Sequence, residues 1–162
     1  MSSTLPKHLS AKKASKFPSL REDDYFVTSV HDWAYNCIAH AAGEDHVPWW
    51  PMEEETEGVF WPDGVPREET IEAFVAAYKT KDYLPCDDLN TDLEPGFEKV
   101  VIYLSAENEP THAARQLPTG AWTSKLGEWE DIEHKVPLCL KDYGKVGKVL
   151  KRRVDQVGGG CQ

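Results

Sequence analysis

The sequence predicts a small α+β domain in which a helix bearing Cys37 packs across an antiparallel sheet. Apolar residues make up 40% of the 162 residues, which suffices for one core. The strand-like runs are too short and too closely linked for parallel crossovers. We expect a polar arm at residues 1–20, one domain at 21–153 and a flexible tail at 154–162.

Two helices are predicted before the main strands. The arm has no periodic apolar face, and we expect residues 1 to about 15 to make few core contacts. A short helix carries Cys37 in its first turn and ends at Gly43. A second helix is expected to begin at Pro66, because four apolar residues after it repeat at helical spacing: Ile71, Phe74, Val75 and Tyr78.

Four later segments have the composition of strands. Residues 100–104 form a β-branched and aromatic run, and residues 111–117 and 122–126 have the length and turn residues of a hairpin. Residues 143–150 contain two glycines and favour a last strand only weakly. The chain between the two predicted helices, residues 48–66, is rich in Trp and Pro and is expected to be an aromatic-pinned loop.

Charge and cysteine content exclude several classes of protein. The formal charge of −10 repels phosphate backbones and anionic lipid, so nucleic acid and membranes are poor partners, and the basic residues near both ends are read as solvated. No apolar run reaches the ~20 residues that span a bilayer, and residues 1–18 lack a secretion signal. The four cysteines show no C-x-x-C pairing. A cytoplasmic protein with reduced thiols is expected.

One pair of residues has the chemistry of a catalytic centre. A thiol at a helix N-terminus beside an imidazole ionises more easily than a free thiol, and Cys37 and His112 could form such a pair. We therefore predict a depressed pKa for the Cys37 thiol. Simpler interpretations make Cys37 a small buried residue of an Ala-rich helix and His112 a hydrogen-bonded strand residue.

The order of these residues resembles a known superfamily. A Cys on an early helix followed by a strand that begins with His is similar to the papain-like cysteine peptidases and amidases. At closer range the chain looks like an uncharacterised bacterial domain family without an assigned reaction, over roughly residues 18–153. Four segments carry this second likeness, namely NCIAHAAG at residues 36–43, WWP at 49–51, WPDGVPR at 61–67, and PTHAARQL through WTSKLG at 110–127.

The papain-like resemblance implies roles for particular residues. Cys37 would be the nucleophile and His112 the general base and acid, with a third polar residue orienting the imidazole. The next strand offers Ser124 and Lys125 where related hydrolases have His, Asn, Asp or Gln, so the sequence departs from the pattern there. Asp131 is the alternative third residue, although it also fits a surface acid.

Other residues are candidates for binding a substrate. The Cys37 backbone N–H and a side chain of His31 or Asn36 could stabilise an oxyanion, although Asn36 also fits a helix cap. Arg115 and Lys125 could face one side together, to hold an acidic group or to pair with carboxylates. Three tryptophans could line a cleft or anchor the core: Trp49, Trp50 and Trp61.

Two functions of different class follow. The first is a thiol-dependent hydrolase or acyltransferase that acts on an amide bond of a peptide or protein, without cofactor or metal. The second is a non-catalytic protein-binding module that uses the acidic surface and the Trp-rich loop. Separation of the Cys37 sulfur from the His112 nitrogens, or full burial of both, favours the module.

Overall fold

The computed structural model describes residues 5–154, which form a mixed helix and sheet structure around one seven-stranded antiparallel sheet. The strand order across the sheet is β1-β6-β5-β4-β3-β7-β2. The antiparallel α+β class is therefore confirmed. The strands are β1 Tyr25–Val27, β2 Leu84–Pro85, β3 Phe97–Leu104, β4 Pro110–Gln116, β5 Trp122–Lys125, β6 Asp131–His134 and β7 Lys145–Arg153.

Three α-helices and two 3₁₀ turns accompany the sheet. The helices are α1 Ala11–Ala14, α2 Cys37–Ala41 and α3 Ile71–Lys79, and the turns span Glu22–Asp24 and Pro137–Tyr143. The predicted helix at Cys37 is confirmed. The other predicted helix begins at Ile71 and not at Pro66, because the Thr70 side chain accepts the Ala73 amide at 3.1 Å and caps the helix there. Within residues 5–154, no helix is both long and apolar enough to cross a bilayer.

One face of the sheet is covered by α2, α3 and the Trp-rich loop, and we call this side the helix layer. Phe74 and Tyr78 of α3 are fully buried there, and Trp49 and Trp61 of the loop pack beside them. From the sheet, Ile102 points into this layer. Aromatic residues thus supply most of the bulk between the helices and the sheet.

The other face is covered by the N-terminal arm and the 137–143 turn, and we call this side the arm layer. Leu9, Phe17 and Leu20 are buried there, and the Leu9 amide donates to the Tyr25 hydroxyl at 2.9 Å. The prediction of few core contacts for residues 1 to about 15 fails at Leu9, whereas Phe17 and Leu20 lie beyond that segment. The apolar residues of the arm have no helical spacing, but α1 and the hydrogen-bonded turns after it lay them against the sheet. The predicted flexible tail, apart from Val154, lies outside the described residues.

The strands agree with the sequence where the apolar pattern is strong. Strands β3, β4 and β5 fall on the three predicted segments, and β7 extends past its prediction to Arg153. Gly144 in front of β7 is required, because a Cβ atom there would overlap the Leu104 carbonyl. Strands β1, β2 and β6 were not predicted. Most of β6 lies in the acidic run 128–133, which has the composition of an exposed segment.

Candidate functional site

The Cys37 thiol lies at the start of α2 but beneath the surface. Asn36 caps the helix by accepting the Ala39 amide at 3.0 Å, which confirms its interpretation as a cap. Cys37 itself is 8% exposed. Burial raises the pKa of its thiol to about 11, against smaller lowering effects of the nearby backbone and of the Lys125 charge. The predicted depressed pKa of Cys37 is therefore wrong, because loss of solvation outweighs the helix terminus.

His112 lies on the opposite face of the sheet from Cys37. Its neighbour Ala113 packs in the helix layer with Cys37, and successive strand residues point to opposite faces. Its register partner Tyr103 belongs to the arm layer, and the two rings meet edge to face with centroids 5.2 Å apart. The structure thus does not bring the predicted thiol and imidazole together. Sequence order alone could not reveal this, since a shift of one residue would reverse the face.

His112 is instead part of a buried hydrogen-bond chain. His134 Nδ1 lies 3.0 Å from the Val136 carbonyl oxygen and must carry the proton to donate to it, which leaves Nε2 as acceptor. The Ser124 hydroxyl then donates to His134 Nε2 at 2.8 Å and accepts from His112 Nε2 at 3.1 Å. The structure therefore joins His112 to Ser124 as predicted, but within the arm layer and away from Cys37.

This chain is closed to solvent. His112 and Ser124 are fully buried and His134 is 1% exposed. The Tyr143 ring stacks on His112 with ring centroids 4.0 Å apart and an interplanar angle of 2°. Within residues 5–154, His112 Nδ1 has no hydrogen-bond partner. Burial lowers the pKa of His134 to about 4 and that of His112 well below its ordinary value. Both imidazoles are neutral at pH 7 and have no access to a substrate.

A second polar cluster lies in the helix layer around Asp131. Its carboxylate accepts the Tyr35 hydroxyl at 2.6 Å, and the Lys125 ammonium and His40 Nδ1 lie 4.0 and 3.9 Å away. Asp131 is 7% exposed, so its interpretation as a surface acid is wrong. Its backbone also holds the chain near Thr28, whose amide donates to the Asp131 carbonyl at 2.8 Å. These contacts fix the segment that leads into α2.

Lys125 is a buried cation in this cluster. Its side chain has no exposed area, its ammonium donates to the Trp129 carbonyl, and it sits 4.9 Å from the centre of the Tyr35 ring. Burial lowers the pKa of Lys125, although the Asp131 charge acts against this. Strand register puts Arg115 and Lys125 on the same face, as expected. The Lys125 ammonium is thus engaged in internal contacts with Trp129, Asp131 and Tyr35.

The predicted tryptophans are mainly core anchors. Trp49 and Trp61 are 2% and 3% exposed, and the Trp61 indole donates to the Pro66 carbonyl at 2.9 Å. Trp50 is half-buried and its indole donates to Glu69 at 3.3 Å. Trp49 and Trp61 belong to the same buried cluster as Cys37. The exposed tryptophan is Trp33, which lies in the loop before α2 with 72% of its surface exposed. Trp33 was not among the predicted site residues.

An open cleft of about 450 Å³ lies between the C-terminal ends of α2 and α3 and the Trp-rich loop. Its apolar wall consists of Val47, Trp49, Phe60 and Pro62, and its polar wall of Glu44, Asp63, Thr80 and Lys81. Phe60 is 41% exposed. The sequence predicted a cleft shaped by tryptophans, but Phe60, Glu44 and Lys81 were not predicted as lining residues. The density of aromatic and Pro residues in 48–66 was the available signal.

These features define an α+β domain with a closed polar interior and an open, aromatic-walled cleft. The chain belongs to a family described as a domain of unknown function (DUF7689), whose model matches residues 26–151. No curated protein and no solved structure matches the chain. The predicted likeness to an uncharacterised domain family is thus confirmed, whereas the likeness to papain-like enzymes stays a prediction. In the described part of the chain, no group of three or more His, Cys, Asp or Glu residues could hold a metal ion.

Proposed function

We propose that the protein is a non-catalytic protein-binding module whose interface is the cleft beside Phe60. The observation that carries the proposal is the cleft itself, which is open, about 450 Å³ in volume and walled by apolar and aromatic side chains. Exposed aromatic residues beside a cleft are typical of surfaces that take a partner's side chain. Phe60 supplies such a residue, and its ring packs on Trp49 with centroids 5.0 Å apart.

The rigidity of the cleft also supports binding. The Phe60 amide donates to the Pro48 carbonyl at 2.9 Å, and the Trp50 amide donates to the Phe60 carbonyl at 3.1 Å. Asn36 ties the same loop to α2 through the Trp49 backbone, with its amide group 2.8 Å from the Trp49 carbonyl and its oxygen 3.1 Å from the Trp49 amide. A wall held in this way binds a partner with little ordering cost.

The alternative of a thiol hydrolase lacks a corresponding arrangement. A nucleophilic thiol needs an adjacent base and access to its substrate. Cys37 is buried with a raised pKa, and His112 lies on the other face of the sheet. Burial of both residues and their position on opposite faces favour the binding module over the hydrolase.

A random peptide library displayed on phage tests the proposal. We expect peptides to be enriched on the wild-type protein and to lose binding to Phe60→Ala. Trp33→Ala is the matched control, because it also removes an exposed aromatic ring but leaves the cleft intact. Failure to enrich any peptide, or enriched peptides that ignore Phe60→Ala, would overturn the proposal.

A further inference from the structure

The charged residues that line the cleft indicate which class of partner it binds. Two carboxylates, Glu44 and Asp63, line the cleft together with its apolar residues, and Lys81 is the cation among the lining residues. Lys81 and Glu44 form an ion pair with Nζ and Oε2 2.6 Å apart, and about a third of each side chain is exposed. A hydrogen bond from Lys81 lowers the pKa of Glu44, so this carboxylate is ionised at neutral pH.

The backbone under this ion pair is fixed, whereas the side chains are free to exchange partners. Glu44 follows Gly43, which has a φ of 86°, and the Glu44 amide donates to the Ala39 carbonyl at 2.9 Å at the end of α2. Lys81 follows the last turn of α3, and its amide donates to the Tyr78 carbonyl at 2.9 Å. An exposed ion pair of this kind is weak and is readily replaced by a competing cation.

The end of α3 adds to the attraction for positive charge. The helix has nine residues, Ile71–Lys79, and its C-terminal end reaches the cleft at Thr80. The carbonyl end of a helix carries partial negative charge and favours a nearby cation. The chain as a whole has a formal charge of −10, which attracts a basic partner over longer distances.

From these observations we infer that the cleft takes a basic protein segment, in which a Lys or Arg lies next to an apolar side chain. This inference rests on the proposed binding function and names its partner class. The apolar side chain packs on Phe60 and Val47, and the cation takes the place of Lys81 at Glu44 or pairs with Asp63. In the free protein Lys81 occupies the position at Glu44 that the partner's cation would take, so the two cations compete for this carboxylate.

Two substitutions are expected to change the affinity for a basic peptide in opposite directions, which simple apolar binding would not produce. Asp63→Asn removes an exposed carboxylate and should weaken binding of a basic peptide about two- to fivefold. Lys81→Gln removes the competing cation and should strengthen it by a similar factor. Both effects should vanish at about 1 M salt, where the Debye length falls to about 3 Å.

Three synthetic hexapeptides serve as probes, each with a Leu-Phe core flanked by four Lys, four Gln or four Glu residues. We expect calorimetry to show the highest affinity for the Lys peptide, a lower one for the Gln peptide and the lowest for the Glu peptide. The opposite effects of Asp63→Asn and Lys81→Gln should appear with the Lys peptide alone. Equal affinity of all three peptides, all weakened by Phe60→Ala, would overturn the partner class and keep the cleft as an interface. Binding of none, or binding unaffected by Phe60→Ala, would overturn both.

Discussion

The protonation state of single reactive residues in this protein depends on whether their side chains are solvated. Cys37 has the helix terminus that lowers a thiol pKa, yet its burial raises that pKa to about 11. His112 and His134 are likewise neutral because they are buried, and Ser124 joins them without facing a substrate. The sequence shows which residues have reactive groups. Solvation depends on the residues packed around them, which come from distant parts of the chain.

The Cys37 thiol should resist alkylation in the folded protein. Iodoacetamide labelling mapped by mass spectrometry, from about pH 6 to about pH 9, brackets an ordinary thiol pKa of about 8.5. We expect half-buried Cys86 to react well before Cys37, and His112→Phe to leave Cys37 labelling unchanged. Rapid labelling of Cys37 near pH 6 that His112→Phe abolishes would restore the thiol–imidazole pair.

Acid should destabilise the protein through His112 and His134. Their folded pKa values are lowered, so the unfolded chain binds protons that the folded chain does not, once the pH falls below about 6.5. Stability is greatest above this pH and falls as the pH decreases toward about 4, the folded pKa of His134. Protonation linked to His134 should lower the free energy of unfolding by on the order of 3 kcal/mol over this pH range.

Urea unfolding at several pH values measures this dependence. His112→Phe keeps a ring against Tyr143 and should reduce the slope of unfolding free energy against pH. His31→Phe, in the exposed loop before α2, is the control and should keep the slope. Equal slopes for wild type and His112→Phe would show that the buried chain does not govern the acid response.

At the scale of elements, strong apolar patterns could be predicted from the sequence and register could not. Strands β3 to β5 and the capped helix at Cys37 follow from local residue types. Strand β6 was missed because its buried Asp131 takes its place only with Tyr35 and Lys125 around it. The face of His112 depends on a one-residue register, which the hydrophobic pattern of THAAR leaves open.

Asn36 should matter more to stability than an ordinary helix cap. It caps α2 and also pairs with both backbone groups of Trp49. We expect Asn36→Ala to cost about 2 to 3 kcal/mol, since buried backbone groups lose partners, and Thr70→Ala, which removes only the α3 cap, to cost about 1 kcal/mol. Chemical unfolding of both variants compares them. Equal costs would mean that the Trp49 contacts add nothing.

For the whole molecule, the described part of the arm belongs to the fold although it precedes the matched family region. Its Leu9, Phe17 and Leu20 cover the sheet face that carries the buried histidine chain, and Lys13 pairs with Glu130 at 3.0 Å. The division of the chain at residue 20 therefore separates two parts that share a core. The helix layer on the other face is what shapes the open cleft.

Loss of the arm contacts should lower stability substantially. Phe17 packs against Trp129 and Tyr143 and is 7% exposed, so Phe17→Ala should cost about 3 kcal/mol of unfolding free energy. Lys12→Ala, at an exposed position of α1, should change it by less than about 0.5 kcal/mol. Deletion of residues 1–20 without loss of stability would contradict the docked arm.

The proposed binding interface is the cleft between α2, α3 and the Trp-rich loop. The most direct measurement is a titration of ¹⁵N-labelled protein with the hexapeptide of Leu-Phe flanked by lysines, followed by NMR. We predict chemical-shift changes at the backbone amides of Glu44, Phe60 and Lys81 and at the Trp49 indole, with the Trp33 indole unchanged. Shifts confined to Trp33 and its loop, or no shifts at saturating peptide, would contradict it.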